Sequence, residues 1–159
     1  MKSPVGNLLL AADESGLRAL QFAEGRTPPH VETSWKHESR LVQEPMRQLR
    51  AFFAGELHRF DLPLAPQGTE FQRRVWDALL EIPFGETTSY GELARRLGNP
   101  TASRAVGLAN GSNPIAIIIP CHRVIGSNGK LTGYGGGLPN KRWLLDFERN
   151  QLRLAFGSR

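Results

Sequence analysis

The spacing of apolar residues changes along the chain, and each change marks an element. Residues 5–12 and 17–22 are apolar-rich runs on either side of "DESG", whose glycine closes the turn, so they predict a β-hairpin. "RTPPH" follows as a loop. From about Ser39 to Ala54, Leu41, Met46, Leu49, Phe52 and Phe53 keep a helical period, and Gly55 suits the C-terminal cap. Pro45 inside that stretch implies a late start or a kink. Residues 58–62 predict a short strand, and "LPLAPQG" reads as a linker.

Beyond the linker the helical period returns. Phe71, Val75, Leu79 and Ile82 mark one face, widened by Trp76 and Leu80, and "PFGE" ends it. In "TTSYGELARRLGNPTASRAVGLANGSNP", Ser89 and Glu92 have capping-box spacing, Leu93 and Leu97 form an apolar face, and Gly98 ends a short helix. Asn99-Pro100 forces a turn, and Thr101 is expected to cap a second helix that runs to about Ala109. Two short helices across a tight turn predict a helix-turn-helix. The second helix is built from small residues with one long side chain, Arg104. Close helix packing explains Ala105 and Ala109 but not the arginine. "IAIII", residues 115–119, predicts a buried strand ended by Pro120. "GSNGKLTGYGGG" is a turn and then a glycine-rich loop around Tyr134. A last helix from about Asn140 turns Trp143, Leu144 and Phe147 inward, with Glu148 near that face and Asp146 nearly opposite.

Composition narrows the class. The chain has 159 residues, 40% of them apolar, enough for a core and for one domain or two small ones. No apolar run is long enough to span a membrane, and the start lacks a signal-peptide pattern and reads as mature protein, while a single thiol with no partner fits a reducing cytoplasm. The single cysteine excludes an internal disulfide and a thiolate zinc cluster. The net charge is +5, with eight basic and eight acidic residues through Gly68 and twelve and seven from Thr69 onward. Between Glu92 and Asp146 there is no acidic residue, while Arg95, Arg96, Arg104, Arg123, Lys130, Lys141 and Arg142 all fall there. A solvated basic face is one reading of that window, and a polyanionic partner is the favoured one.

The lone thiol, Cys121, follows a predicted strand end and precedes His122 and Arg123. A thiolate is the nucleophilic form, and a nearby cation or hydrogen-bonded base promotes it. Adjacent side chains on an extended chain diverge, so His122 is expected to reach the thiol through a water, with Glu148 holding its far nitrogen. Burial as a small hydrophobe is the competing reading of a free cysteine. A cysteine hydrolase would require an acyl site, of which there is no sign. A plain transcription factor leaves the thiol unexplained. His30, His37 and His58 have no ligand spacing for a metal, and "GYGGG" lacks the helix that a phosphate-binding loop opens.

"RAVGLANGSNP" and "IPCHRVIG", within a stretch from Phe71 to Glu148, resemble the O6-alkylguanine-DNA alkyltransferases, also called methylated-DNA–protein-cysteine methyltransferases, and "SPVGNLLLAADESGLRAL" resembles their first hairpin. The resemblance implies a small α/β N-terminal domain, residues 1–66, with a hairpin sheet, and a mostly helical C-terminal domain, residues 67–159, holding the helix-turn-helix. It implies irreversible, single-turnover transfer of the alkyl group from O6 of an extruded guanine to Cys121. His122 would be the base, oriented by Glu148. Asn113 would brace the site at a hinge. Tyr90 would donate to N3 of the guanine, the carbonyls of Cys121 and Val124 would accept from its amino group, and backbone N–H groups at Tyr134 and Gly135 would face O6. Arg104 would fill the gap left in the stack, and Thr101, Ser103, Ala105, Gly107, Asn110, Arg123 and Lys130 would join it on DNA. The implied partner is duplex DNA carrying O6-alkylguanine, bound by a monomer capable of cooperativity, with no membrane, cofactor or metal.

Two departures from the family pattern matter. Gly135 stands where some members carry serine, which leaves only a backbone donor to O6 and a looser loop for larger alkyl groups. No cysteine stands in the N-terminal part, so no zinc is expected there. The first strand lies so near Met1 that it is expected to be either clipped or frayed. The alternative function is lesion binding or regulation without transfer on the same fold, and the presence of Cys121 argues against it.

Overall fold

The computed structural model describes residues 1–26, 29, 31–32 and 40–157. Strands β1 (Leu8–Asp13) and β2 (Gly16–Phe22) pair antiparallel, Leu8 opposite Phe22, with an irregularity at Ala11/Ala12. The turn needs glycine at position 16: its φ is +136°, and a β-carbon there would collide with the Pro63 carbonyl. The start of β1 is tied down rather than frayed, since the Met1 ammonium donates to the Leu8 carbonyl at 2.8 Å and Leu8 N–H donates back to Met1 at 2.7 Å.

β2 connects the two halves of the molecule. Leu17 N–H donates to Pro63 O and Ala65 N–H to Leu17 O, each at 2.9 Å. Further along, Leu20 N–H donates to Pro114 O and Ala116 N–H to Leu20 O, again at 2.9 Å. The segment predicted as a strand at 58–62 is irregular. The Gln48 amide takes both backbone groups of Asp61, so no strand partner is needed to satisfy them.

The helices follow the apolar periodicity closely. A 3-10 turn (Arg40–Val42) leads into α1 (Gln43–Phe53), so Pro45 lies in the first turn, where its missing N–H costs nothing. The beginning expected at Ser39 lies outside the described residues. Helix α2 (Glu70–Leu80) starts at a full capping box between Thr69 and Gln72 and buries Val75, Trp76 and Leu79, while Leu80 is exposed. Helix α3 (Tyr90–Arg96) is capped by Ser89, whose hydroxyl accepts from Glu92 N–H at 3.1 Å. Helix α4 (Ser103–Gly111) follows the turn, with Ala102 rather than Thr101 at its N-cap, because the Thr101 hydroxyl donates to the Asn99 side chain instead. Helix α5 (Leu138–Phe156) begins two residues before the predicted Asn140 and buries Lys141, Leu144, Leu145 and Glu148.

Leu49, Phe52, Val75, Leu79, Leu93 and Leu144 are fully buried in one continuous core that both halves share. Each contributes about 1.5–3 kcal/mol by leaving water. Phe52 packs on Phe84 and Phe147, which joins α1 to α5 and to the loop after α2. The fold is therefore a small N-terminal domain with an antiparallel hairpin set against a helical C-terminal domain.

Candidate active site

Residues 115–119 are buried but do not form a strand. Ile117 has φ of +71°, Ile118 N–H turns back to Ala116 O, and Ile119 N–H reaches Ile115 O. Asn113 holds this turn closed: its carbonyl oxygen accepts from Ile115 N–H at 3.0 Å and its amide donates to Ile119 O at 2.7 Å. Together with the β2 pairing to Pro114 and Ala116, this anchors the turn leading to Cys121. Cys121, His122 and Arg123 then form a 3-10 turn, and Val124–Ile125 (β4) pairs parallel with Thr88–Ser89 (β3). That pairing brings Tyr90, the first residue of α3, beside the motif.

Cys121 lies on the wall of a cleft of about 440 Å³, together with Asn110, Asn113, Tyr134, Gly135 and the Leu20–Phe22 end of β2. Burial pushes its thiol above the ordinary value, and hydrogen bonding from Asn113 and the Lys141 charge act the other way. The loop wall is fixed from the N-terminal side. The Phe22 and Tyr134 rings meet edge to face at 5.5 Å, and any side chain at Gly136 would strike the Phe22 ring. Tyr134 keeps its proton, since burial raises its pKa well above the usual value.

Behind the cleft is a buried charge cluster. His122 Nε2 lies 2.7 Å from Glu148 Oε1. Arg123 donates from Nε and Nη2 to the same carboxylate at 2.8–3.2 Å and from Nη1 to Ile82 O at 2.7 Å. Gly85 N–H also donates to Glu148. Burial alone would raise the Glu148 pKa, but His122 and Arg123 outweigh it and hold the carboxyl at about 2. Burial lowers the His122 pKa against the pull of Glu148, which leaves the ring neutral at pH 7. A carboxylate accepts only, so Nε2 carries the proton and Nδ1 carries the free lone pair. Nδ1 is buried and has no hydrogen-bond partner among the described residues.

The sequence-predicted DNA residues divide. Thr101, Ser103, Arg104 and Ala105 are exposed, and Arg104 has no ion pair among the described residues. Lys130 is exposed in the turn before the Tyr134 loop. Gly107 faces the Tyr90 ring, so it belongs to the α3–α4 contact. Two assignments are corrected. Arg123 is buried and committed to Glu148, so it cannot reach a phosphate. Asn110 is buried on the cleft wall, with its carbonyl oxygen unpartnered. Val124 is fully buried, and Tyr90 hydrogen-bonds Thr132 at 2.8 Å at the edge of the site.

Lys141 was not singled out from the sequence. It is fully buried, its ammonium donates to Thr132 O at 2.8 Å, and burial lowers its pKa. Positions 141, 144, 145 and 148 form the buried stripe of α5, so a lysine in phase with that stripe was the available signal. Among the described residues, no cluster of His, Cys, Asp and Glu could hold a metal ion, and no helix is long and apolar enough to cross a membrane.

Comparison with known proteins agrees with this architecture. The family model "6-O-methylguanine DNA methyltransferase, ribonuclease-like domain" matches residues 1–66, and "6-O-methylguanine DNA methyltransferase, DNA binding domain" matches residues 70–150. A methylated-DNA–protein-cysteine methyltransferase of Methanosarcina acetivorans is 59% identical over 92% of this chain and 94% of its own length. One from Mycobacterium tuberculosis is 55% identical over 94% and 90%. A crystal structure of the Mycobacterium tuberculosis protein OGT in complex with DNA superposes with a TM-score of 0.89 at 54% identity, covering 95% of this chain and 91% of that one. On this evidence the chain belongs to the 6-O-methylguanine DNA methyltransferase family.

Proposed function

We propose that this protein repairs O6-alkylguanine in duplex DNA by moving the alkyl group to Cys121 once and irreversibly. The observation that carries the reading is the pairing of a cleft-facing thiol with a neighbouring histidine whose only free nitrogen is a base. His122 Nδ1 takes the thiol proton through a water. The Cys121 sulfur attacks the alkyl carbon, the C–O6 bond breaks, and its electron pair leaves on the guanine oxygen. Tyr90 donates to N3 and stabilises that anion. Glu148 holds the tautomer, and Arg123 keeps Glu148 ionised. No second thiol is available to remove the thioether, so the cysteine serves as a reagent used once.

A base stacked in the duplex hides its O6 from a thiolate, so the nucleotide must be extruded. Unstacking costs a few kcal/mol, and an inserted side chain offsets part of that. Arg104 on the exposed face of α4 fills the gap, flanked by Thr101, Ser103 and Ala105, with Lys130 on the backbone. The carbonyls of Cys121 and Val124 receive the guanine amino group, and the Tyr134–Gly135 backbone faces O6. The protein acts as a monomer, with its domain boundary at 66/67.

The test is to incubate the protein with duplex carrying O6-methylguanine and weigh the peptide that contains Cys121. One methyl group per protein, absent from Cys121→Ser, is expected. Binding without any methyl gain would leave only lesion recognition. Consumption of many lesions per protein would exclude a stoichiometric acceptor.

A further inference from the structure

Tyr90 opens α3, and its phenol oxygen lies 2.8 Å from the Thr132 hydroxyl. Each of these two groups can donate or accept. The Tyr90 ring faces Gly107 of α4, so one element holds the ring and another holds the hydroxyl.

Thr132 is exposed, yet its backbone is fixed. The parallel pairing of β3 with β4 sets the residues after Ile125 beside the start of α3. The turn that follows closes on itself: Gly126 N–H donates to Lys130 O at 2.9 Å, and Lys130 N–H donates to the Asn128 side chain at 3.1 Å. The Thr132 carbonyl then accepts from the buried Lys141 ammonium at 2.8 Å. That bond engages the backbone and leaves the Thr132 side chain for Tyr90. Lys141 and Glu148 stand two turns apart on the buried stripe of α5. The same helix therefore supports His122 through Glu148 and Tyr90 through Thr132.

We propose that Thr132 is a positioning residue for alkyl transfer that acts through the Tyr90 hydroxyl. In the free protein the two hydroxyls satisfy each other. With guanine bound, Tyr90 turns its hydrogen to the base, and Thr132 turns its own to the Tyr90 oxygen. A phenol that accepts one hydrogen bond donates the next more strongly, because linked hydrogen bonds polarise one another. No proton is transferred: both O–H bonds persist and only their directions change. The proposal rests on the alkyl-transfer reading and on the Tyr90 hydroxyl taking part in it.

The experiment measures single-turnover rates on free O6-benzylguanine and on duplex carrying O6-methylguanine. The proteins are wild type, Thr132→Val, Thr132→Ser, Tyr90→Phe and the double variant of Thr132→Val with Tyr90→Phe. Valine keeps the shape of threonine without its hydroxyl, and is expected to slow both substrates by about three- to tenfold, the scale of one net hydrogen bond. Serine keeps a hydroxyl and is expected to stay within about twofold of wild type. In the Tyr90→Phe background, Thr132→Val is expected to add less than about twofold, because the partner it acts through is already gone. A side chain that only braced the turn would slow both backgrounds alike, and that result overturns the proposal. So does a loss confined to duplex, which would make Thr132 a DNA contact, or a serine variant as slow as valine. The failures are distinguishable. Tyr90→Phe at the wild-type rate removes the role of Tyr90 together with that of Thr132. A slow Tyr90→Phe beside an unimpaired Thr132→Val removes only that of Thr132. Wild-type protein that gains no alkyl group on Cys121 refutes alkyl transfer itself.

Discussion

The charge cluster behind the cleft and the helix that flanks it are built on opposite terms. His122 and Glu148 have no exposed side-chain surface and Arg123 has 8%. On α4, Arg104 is exposed and Leu108, one turn further on, is 73% exposed, with only Val106, Ala109 and Asn110 of that helix buried. A side chain in the cluster cannot change without affecting fold and chemistry together. A side chain on the outer face of α4 can change with little effect on either, so its effect should appear only when duplex DNA is the substrate. The contrast separates machinery that acts on any O6-alkylguanine from machinery that acts on duplex.

The sharpest way to break that contrast is to remove Glu148. Glu148→Leu leaves the Arg123 guanidinium buried and unpaired and is expected to cost about 3–5 kcal/mol, read as a fall in thermal midpoint. The double change Arg123→Met with Glu148→Leu removes both charges and should recover most of the stability. It should not recover alkyl transfer, because His122 then loses the acceptor that fixes its tautomer. If the double variant regains transfer to free O6-benzylguanine, Glu148 serves stability alone.

pH tests the cluster without mutation. The folded-state pKa of Glu148 is depressed from its ordinary value of 4.5 to about 2, so the unfolded chain binds more protons between those values. That stability is full above about 4.5 and is lost as pH falls toward 2, on the order of 3 kcal/mol. His122 acts in the same direction at higher pH. Its folded pKa lies below the ordinary 6.5, so its contribution is present above 6.5 and is lost as pH falls below it. Denaturant melts across this range should show stability falling steadily toward acid. A flat profile for wild-type protein would mean that the cluster is not ionised as described.

The same contrast explains what could be read from sequence. The hairpin, the Ser89 cap, the two helices of the helix-turn-helix and the inward position of Glu148 all follow from local spacing, and all are present. "IAIII" misled because a short apolar run does not distinguish a strand from a buried turn. Its path is set by Asn113 bonding both Ile115 and Ile119, together with the positive φ at Ile117. Arg123 misled for a related reason. In the sequence it is one more cation in an acid-free window, and its partners, the Glu148 carboxylate and the Ile82 carbonyl, lie 25 and 41 positions away. Asn110, placed on DNA by the resemblance alone, is buried among the residues of the cleft wall.

On α4 the expected effects are smaller and selective. Arg104→Ala should slow repair of O6-methylguanine in duplex by roughly tenfold, since the side chain offsets part of the unstacking cost. Reaction with free O6-benzylguanine should stay within about twofold. The thermal midpoint should hardly move, because an exposed site with no ion-pair partner among the described residues contributes within about 0.5 kcal/mol. Equal losses on duplex and free base would place Arg104 in the chemistry rather than in the stack.

The smallest effect concerns salt. Of the seven cations in the acid-free window, Arg123 and Lys141 are buried. Arg95 and Arg96 are paired with Glu92, which leaves Arg104, Lys130 and Arg142 as the exposed cations without an acidic partner among the described residues. Each phosphate contact steepens the dependence of log affinity on log salt by about 0.9. The five exposed cations of the window therefore contribute at most about −4.5 to the slope, and the three without carboxylate partners about −2.7. Lys130→Ala should reduce the magnitude of the measured slope by about one with no change in the rate on free base. A slope near −6 would bring in cations outside the window, of which Arg73 and Arg74 on α2 are exposed, and would extend the surface that holds the duplex beyond α4 and the Lys130 turn.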